Sequence, residues 1–351
     1  MAPRRERLES GDDAVTAHTH LEAESRLPRD LVRSLADLLQ HLDVGQIQTP
    51  EIWCGWCIAP VSGGANNLLF RVTGDAGDYA VKFTVRDARD RAGREYAALS
   101  ALRQAGLDIA PRPIWLDRER HAQPVVVQTW LNGEALSRPP QTDAEWAALL
   151  DHYGAIHSVT PQRTTVPLAS GYVNVSSGEA GKAMVHEHAR MLPLEVRPAS
   201  LREILAWLDG WSPPTWPTPP RTLVRVDGNW RNFVACGDAL ASVDWEYSGW
   251  GDPAFELSEL ALHPAYDGVP QERWEQFLMD YARRHNDPTV NLRVRTYTTI
   301  MLVWWLVRWT RYLYEVPRGM DARLVSRPAG WLAEVERQYG RYLARTEQIN
   351  F

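Results

Sequence analysis

The chain has 351 residues, of which 44% are hydrophobic, so it is long enough for two packed lobes. Its formal net charge of -6 gives no basic footprint for nucleic acid or an anionic membrane. Three cysteines are too few for the disulfide framework of a small secreted domain, and the N-terminus lacks a signal-like apolar segment. The apolar run over residues 300–307 is too short to span a bilayer. We therefore expect a cytoplasmic protein.

The first predicted elements form a small β-rich lobe. Apolar residues recur at helical spacing over residues 27–42, which predicts an amphipathic helix. Between residues 53 and 83, short β-rich runs are broken by the turn-rich clusters SGGANN and TGDAGD, which indicates antiparallel strands. Residues 87–105 predict a helix that stops at Gly106. The strand PVVVQTW follows.

The remainder of the chain is predicted to be mainly helical. Residues 143–157 and 290–315 are its clearest helices, and the Trp-rich stretch WLDGWSPPTWPTPP predicts an ordered loop. The fold class is therefore α+β, with a small antiparallel β lobe and a larger helical lobe. We predict an extension with the first helix over residues 1–45, the small lobe over 46–131 and the helical lobe over 132–351.

Two features of the small lobe could hold phosphate. The glycine-rich turn lies between β-like runs, where its backbone N–H groups could approach phosphate oxygens, although taken alone it fits an ordinary hairpin turn better. Its candidate residues are Ser62, Gly63, Gly64, Asn66 and Asn67. Lys82 lies in the strand YAVKF, and Glu95 shares a helix face with Leu99 and Leu102. Because an acid on an apolar face is costly unless paired, we expect Glu95 to pair with Lys82.

The most informative segment is LVRVDGNWRNFVACGDALASVDWEYSGWGDP. FVAC and ALASV flank a Gly-Asp turn and predict a hairpin, in which Cys236 faces Ala239 and Asn232 faces Val243. Asp244 would then lie beside Asn232 at the open end of the hairpin. An amide oxygen and a carboxylate are hard ligands suited to Mg²⁺. Asp227, just outside this pair, stays free to take a proton.

These motifs resemble those of the aminoglycoside phosphotransferase and choline kinase-like family. DGNWRN followed by VDWEYSGWGDPAFELSEL resembles its catalytic and magnesium motifs. SGGANNLLFRV resembles its nucleotide loop, YAVKF its ATP lysine, REYAAL its helix glutamate, QTWLNGEAL its hinge and GAIHSV a conserved helix end. The resemblance covers residues 55–265 in the family's order and implies a two-lobed protein-kinase-like fold.

The resemblance also implies an activity and roles for individual residues. A member of this family would transfer a phosphoryl group from ATP to a hydroxyl of a small molecule. By that resemblance Asp227 is the catalytic base, Asn232 and Asp244 bind Mg²⁺, and Lys82 with Glu95 positions the phosphates. The adenine would meet the backbone around Thr129 and Leu131. Asp252 and His157 are expected to be structural.

One departure from the family pattern lies beside the catalytic aspartate. The family usually has His-Gly before this residue, whereas this chain has Arg225-Val226. Valine replaces a residue that tolerates unusual backbone angles, and arginine replaces a histidine that helps to hold the loop. A nucleotide-binding pseudokinase with a regulatory or scaffolding role is therefore the alternative to an active kinase.

Two further patterns leave alternatives open. WCGWC at Cys54 and Cys57 resembles a redox dithiol, but it leads into a strand and we expect a buried pair. The segment IMLVWWLVRWTRYLYE predicts a deeply buried helix, and Trp305 with Trp309 could still border a pocket for a cationic acceptor. Candidate acidic contacts for such an acceptor are Glu246, Glu259 and Asp267. The sequence leaves the oligomeric state and the acceptor open.

Overall fold

An amphipathic helix opens the N-terminal lobe. A computed structural model of the chain describes residues 27–44, 47–62, 66–237 and 239–347. Helix α1 spans Arg29–Val44 and confirms the predicted helix with slightly shifted ends. Its Leu35, Leu38 and Leu39 are buried in one cluster with the sheet residues Ile58 and Val72. The apolar stripe of α1 therefore covers one face of the sheet.

Among the described residues, six antiparallel strands form the sheet of this lobe. They are β1 (Glu51–Trp53), β2 (Trp56–Pro60), β3 (Leu68–Gly74), β4 (Gly77–Phe83), β5 (Pro113–Asp117) and β6 (Val125–Thr129). The order β1-β2-β3-β4-β6-β5 places β4 inside the sheet, where Lys82 pairs with Leu69 on one side and Val126 on the other. The strand that carries the lysine is therefore fixed by two ladders of hydrogen bonds.

The hairpin of β1 and β2 corrects the prediction for the cysteines. Trp53 pairs with Trp56, and Cys54 with Gly55 makes the turn at φ angles of 45° and 85°. Trp56 takes the interior position at 4% exposure. Because side chains alternate along a strand, the next residue points outwards, and both Cys54 and Cys57 are exposed. The prediction of a buried pair is wrong.

Helix α2 spans Arg91–Gln104 and lies against β5 and β6. It begins at Arg91 rather than at Asp87, because the Asp87 carboxylate accepts the backbone N–H of Arg89 and Asp90 has a left-handed φ of 48°. The predicted stop is confirmed, since Gly106 follows with a φ of 76°. The helix therefore presents Glu95 beneath the sheet.

The C-terminal lobe is mainly helical, as predicted. Its helices are α3 (Asp143–His157), α4 (Gly178–Arg190), α5 (Ala199–Gly210), α6 (Pro253–Leu262), α7 (Gln271–His285), α8 (Val290–Glu315) and α9 (Trp331–Thr346). Helix α8 contacts α4, α6 and α9, and every residue from Ile300 to Val307 is buried. The prediction of a deeply buried helix is confirmed. None of the described helices is both long and apolar enough to cross a bilayer.

The Trp-rich stretch forms an ordered connection after α5. Trp207 and Trp211 stack with ring centroids 5.6 Å apart, and the Trp216 indole N–H donates to the Ser176 carbonyl. The first four residues of the stretch belong to α5, and partial burial of the three rings holds the rest, which has no regular hydrogen bonding.

Short strands of the C-terminal lobe carry the chemically suggestive residues. They are β7 (Glu134–Ala135), β8 (Thr222–Val224), β9 (Phe233–Cys236), β10 (Ala239–Ser242) and β11 (Gly249–Gly251). In the β9–β10 hairpin Cys236 faces Ala239, and the Val243 N–H donates to the Asn232 carbonyl at 2.8 Å. The predicted hairpin register is therefore confirmed, and it brings Asn232 to the same end as Asp244.

Candidate active site

The small-lobe half of the site centres on Lys82. Its Nζ lies 2.7 Å from Glu95 Oε2 and 2.5 Å from Asp244 Oδ1. Burial alone would lower the pKa of Lys82, but the surrounding carboxylates outweigh it and raise that pKa well above its usual value. Burial alone would raise the pKa of Asp244, but the Lys82 cation outweighs burial and lowers that pKa below its usual value. Lys82 is therefore a fixed cation between the two lobes.

Glu246 ties the end of the glycine-rich turn to helix α2. Its Oε2 accepts from Asn67 Nδ2 at 2.6 Å, and its Oε1 accepts from Arg91 Nη1 at 2.8 Å. Lys82 Nζ lies 3.7 Å away. Glu246, Asn67, Arg91 and Lys82 are all buried, so both carboxylate oxygens of Glu246 are occupied by protein partners.

Part of the turn lies outside the described residues. Gly63 and Gly64 belong to that part, whereas Ser62 is exposed. Asn66 is held from the far end of the chain, because its carbonyl accepts from the Leu324 N–H at 2.8 Å and its Oδ1 accepts from Arg323 Nη2 at 3.1 Å. The C-terminal lobe therefore reaches the turn directly.

The hinge between the lobes follows strand β6 directly. The Thr129 N–H donates to the Arg112 carbonyl, and the Trp130 N–H donates to the Asp78 carbonyl, each at 2.9 Å. Thr129 and Leu131 are both partly exposed. The backbone at Leu131 is thus the first part of the connector beyond the sheet.

Asp227 lies in the loop that follows β8. Its Oδ1 accepts from the Asn229 N–H and its Oδ2 accepts from Asn232 Nδ2, both at 3.1 Å. Burial and the Asp244 charge raise the pKa of Asp227, while the Arg225 cation opposes them. Two hydrogen bonds therefore orient a carboxylate whose proton affinity is increased, as suits a general base.

Acidic residues of α6 hold the backbone of this loop. Glu256 Oε1 accepts the N–H groups of Arg225 and Val226 at 2.6 and 2.7 Å, and its Oε2 lies 2.7 Å from His157 Nε2. Glu259 Oε2 accepts the Gly228 N–H at 3.1 Å. Val226 adopts a φ of 69°, a costly region for a β-branched residue. The hydrogen bonds from Glu256 fix the loop despite that cost.

Arg225 begins the loop that carries Asp227, and its side chain occupies the interior. It is 0% exposed, its Nη1 donates to the Val243 carbonyl at 3.2 Å, and its Cζ lies 4.8 Å from the centre of the Phe233 ring. Its Nε and Nη2 find no hydrogen-bond acceptor among the described residues. With burial, this cation lowers the pKa of His152 and of His263 to about 3, so both imidazoles are neutral at physiological pH.

Asn232 directly precedes β9, and Asp244 follows β10 by two residues, so both lie at the open end of the hairpin. Asp244 has a left-handed φ of 65°, which turns its carboxylate towards Lys82. No group of three or more His, Cys, Asp or Glu is arranged to hold a metal among the described residues. One amide and one carboxylate fit the lean protein ligand set of Mg²⁺, which takes its other ligands from phosphates and water.

An aromatic wall begins near Asp227 and runs along α8. We use this name for Trp305, Trp309 and Tyr312. The His263 Nε2 lies 3.7 Å from Asp227 Oδ1, and the His263 ring packs edge-on against Trp305 at 5.8 Å. Trp305 stacks on Trp309 at 4.9 Å, and Trp309 lies 5.9 Å from Tyr312. The wall therefore leads outwards from the catalytic loop.

The acidic candidates around the wall differ in their surroundings. Burial, together with Asp227 and Glu256, raises the pKa of Glu259 well above its usual value. Asp267 is exposed at the surface and pairs with Arg341. Glu246 is occupied as described above. The structure therefore places only Glu259 close to Asp227 with its charge suppressed.

The comparison with family models decides the classification. The model of the phosphotransferase enzyme family matches residues 58–296, which include Lys82, Asp227 and Asp244. The chain belongs to this family. A phosphotransferase was predicted from the motifs, and that prediction is confirmed.

Solved structures similar to this phosphotransferase share its fold. A Ralstonia eutropha protein described as an aminoglycoside phosphotransferase has a TM-score of 0.60 at 16% identity, covering 90% of this chain and 98% of that one. A choline/ethanolamine kinase family protein from Mesorhizobium loti has a TM-score of 0.54 at 19% identity, covering 82% and 91%. The two-lobed kinase-like fold is therefore confirmed.

A third similar structure contains ligands. It is a thermostable mutant of the aminoglycoside phosphotransferase APH(4)-Ia with ADP and hygromycin B, at a TM-score of 0.53 and 15% identity, covering 82% of this chain and 93% of that one. A search of curated protein sequences found no match.

The motifs of this phosphotransferase did not point to the residues that hold its catalytic loop. Glu256, Glu259 and His263 were absent from the predicted loop contacts, although Glu256 and Glu259 lie in the apolar helix PAFELSELAL. A buried acid needs a donor, so Glu256 and Glu259 require partners for the same reason as Glu95. The expected structural roles are present: His157 pairs with Glu256, and Asp252 caps α6 and binds Arg293.

Proposed function

We propose that this phosphotransferase transfers the γ-phosphoryl group of ATP to a hydroxyl of a small molecule, with Asp227 as the catalytic base. The observation that carries the proposal is the arrangement of Asp227, held by Asn229 and Asn232, beside the Asp244–Lys82 pair. These groups supply the base, the oxygen ligands and the cation that phosphoryl transfer needs.

Asp227 accepts the proton of the acceptor hydroxyl as the acceptor oxygen forms its bond to the γ-phosphorus. The bond from that phosphorus to the bridging oxygen breaks, and ADP departs. The raised pKa of Asp227 supports this role, because a general base works best when its pKa lies closer to the working pH. Neutral His263, 3.7 Å away, contributes no competing cation.

Lys82 positions the phosphates, and Glu95 fixes the lysine in place. The pair is buried, with Glu95 at 0% exposure, so its geometry is rigid. Asn232 and Asp244 would hold Mg²⁺ in this proposal. When bound, Mg²⁺ would neutralise part of the phosphate charge.

The nucleotide lies between the glycine-rich turn and the hinge. Its proposed contacts are Ser62, Gly63, Gly64, Asn66, Asn67, Thr129 and Leu131. Similar structures described with ADP or AMP-PNP support a nucleotide site in this fold. We also propose that the small lobe ends at Leu131 and that the protein is cytoplasmic.

The acceptor lies against the aromatic wall, with Glu259 beneath the catalytic loop. Trp305 and Trp309 give it a flat apolar surface that leads to Asp227. Glu246 and Asp267 each already pair with an arginine, so we leave both out of the acceptor site.

A pseudokinase is the second candidate, and one observation favours it. Val226 takes the strained φ of 69° where the family usually has glycine, and the fully buried Arg225 replaces histidine. A chain that no longer needs turnover could retain nucleotide binding with such a loop.

The test is transfer of labelled phosphate from ATP with Mg²⁺. Wild type and Asp227→Asn are compared on aminoglycosides, other hydroxylated antibiotics, amino-alcohols, hydroxy acids and sugars. We expect a phosphorylated acceptor with wild type and about 10²- to 10⁴-fold less with the variant. Nucleotide binding without transfer to any acceptor would support the pseudokinase instead.

A further inference from the structure

Three arginines gather at the outer end of the aromatic wall. We call Arg308, Arg323 and Arg327 the basic cluster. Arg308 Nη2 donates to the Tyr312 hydroxyl at 2.7 Å, and its Cζ lies 4.1 Å from the Tyr312 ring centre. Arg327 lies over the same ring at 5.0 Å and over Trp331 at 3.3 Å. Tyr312 is therefore in contact with two guanidinium groups.

Among the described residues, Arg308 and Arg327 have fewer carboxylate partners than positive charges. Asp321 Oδ2 lies 2.7 Å from Arg323 Nε and 2.6 Å from Arg327 Nη2, so Arg327 shares its carboxylate partner with Arg323. Within the described part of the chain, Arg308 has no carboxylate within 4.0 Å. The Arg327 side chain is only 12% exposed, so solvent screens its charge incompletely.

The basic cluster lies near two parts of the candidate active site. Arg323 binds Asn66 of the glycine-rich turn, and Leu324 reaches the same residue through its backbone. Arg308 follows Trp305 by about one turn of α8, and Trp305 packs against His263 beside Asp227. The cluster therefore lies close to both the glycine-rich turn and the end of the aromatic wall at Asp227.

The uncharged polar groups of this region also favour a ligand rich in hydrogen-bond acceptors. The indole N–H groups of Trp305 and Trp309 are buried and have no hydrogen-bond acceptor among the described residues. The Tyr312 hydroxyl accepts a hydrogen bond from Arg308, and no acceptor for its own proton lies among the described residues. Ammonium groups carry only donors, whereas carboxylates and phosphates carry only acceptors. The aromatic wall and the basic cluster supply hydrogen-bond donors and therefore match a carboxylate or a phosphate.

We propose that the acceptor carries an anionic group, a carboxylate or a phosphate ester, which Arg308 and Arg327 bind while its hydroxyl lies at Asp227. The inference rests on the proposed function and names the chemical class of its acceptor. Guanidinium groups suit such a ligand, because their planar donors match the oxygens of a carboxylate or phosphate in pairs. Stacking on Tyr312 and Trp331 holds both arginines ready for it.

The first part of the test measures binding with the nucleotide site filled. Wild-type protein saturated with Mg²⁺ and AMP-PNP is titrated with three matched pairs: glycerol and glycerol 3-phosphate, ribose and ribose 5-phosphate, propane-1,2-diol and lactate. We expect the anionic member of at least one pair to bind about tenfold more tightly than its partner. Equal binding within every pair, or no binding by any anionic member, overturns the inference.

The second part uses variants with a matched control. Arg308→Gln and Arg327→Gln each remove one guanidinium, and we expect each to abolish the preference for the anionic member. Arg318→Gln removes an exposed arginine stacked on Tyr314 and is expected to leave that preference intact. Anion binding that survives both cluster variants reflects general counter-ion attraction and overturns the inference.

Turnover separates this inference from the proposed function. If Asp227-dependent transfer occurs to a neutral or cationic acceptor and Arg308→Gln leaves its kcat/KM unchanged, the acceptor class is wrong and the kinase activity stands. If transfer persists in Asp227→Asn, the proposed function fails whatever Arg308 binds. A rise in KM for an anionic acceptor in Arg308→Gln, with KM for ATP unchanged, supports the inference.

Discussion

The two halves of the candidate active site are held in different ways. Around Lys82, oppositely charged side chains meet directly, with Glu95 at 2.7 Å and Asp244 at 2.5 Å. Around Asp227, the backbone itself is held, because Glu256 and Glu259 accept three N–H groups of the loop. The first half depends on charge balance and the second on the conformation of a loop.

This difference explains where the chain can depart from its family. The Lys82 half tolerates little change, since each charge there compensates another in a buried place. The loop half can accept Val226 at a strained φ of 69°, because the two hydrogen bonds that Glu256 accepts come from the backbone and not from a side chain. A departure in sequence at Arg225-Val226 is therefore compatible with an intact position of Asp227.

Removal of the Lys82 cation should have the largest effect. Lys82→Met leaves Glu95 buried without its partner, and breaking such a pair costs about 3–5 kcal/mol of stability. We expect a large fall in the free energy of unfolding by urea, together with loss of phosphoryl transfer.

The other lysine provides the control for this change. Only Lys82 and Lys182 are lysines among 38 basic residues. Lys182 bonds backbone carbonyls at the surface, so Lys182→Met should unfold almost like wild type. A Lys82→Met protein as stable as the Lys182→Met protein would contradict the charge-balance account of this half.

Replacement of Arg225 should change the pH dependence of the reaction. Arg225 lowers the pKa of Asp227 against burial and Asp244, so Arg225→Met should raise that pKa further. Since Asp227 must be ionised to accept a proton, activity falls as the pH drops through its pKa. The acidic limb of kcat/KM should therefore move to higher pH, by about one unit.

A second variant isolates the charge of Arg225 from its packing. Arg225→Lys keeps a cation at this position and should leave the acidic limb close to that of wild type. An unmoved limb in Arg225→Met, or an equal shift in both variants, would mean that Arg225 acts only by filling space beside Phe233.

The smallest predicted effect concerns Val226. Val226→Gly loses buried side-chain contacts but relieves a left-handed conformation that costs about 1–2 kcal/mol. Val224→Gly, in the extended strand β8, loses similar contacts and relieves nothing. Urea unfolding should show Val226→Gly less destabilised than Val224→Gly by about 1 kcal/mol. Equal losses would remove the argument for strain in the loop.

Local patterns in the sequence were sufficient to predict part of the site. Strand alternation and the apolar face of α2 predicted the Lys82–Glu95 pair, and the hairpin pattern predicted how Asn232 faces Val243. These inferences needed only neighbours in the chain or a single turn. The exposure of Cys57 was predicted wrongly, because it depends on which face of β2 is covered by α1.

The remaining contacts depend on packing between distant segments. Glu256 reaches the backbone of Arg225, and Arg323 reaches Asn66 across most of the chain. No local periodicity encodes which loop a buried acid will meet. The sequence did contain signals, namely the scarcity of lysine and the acids within the apolar helix α6. These signals indicated which residues need partners, but not which residues those partners are.

The most direct measurement compares nucleotide binding and phosphoryl release in wild type and Asp227→Asn. Both proteins are loaded with ATP and Mg²⁺, and ADP formation is followed with water or the best acceptor of the panel. The account predicts equal ATP affinity and about 10²- to 10⁴-fold slower ADP formation in the variant. Equal rates of ADP formation in the two proteins would contradict the assignment of Asp227 as the base.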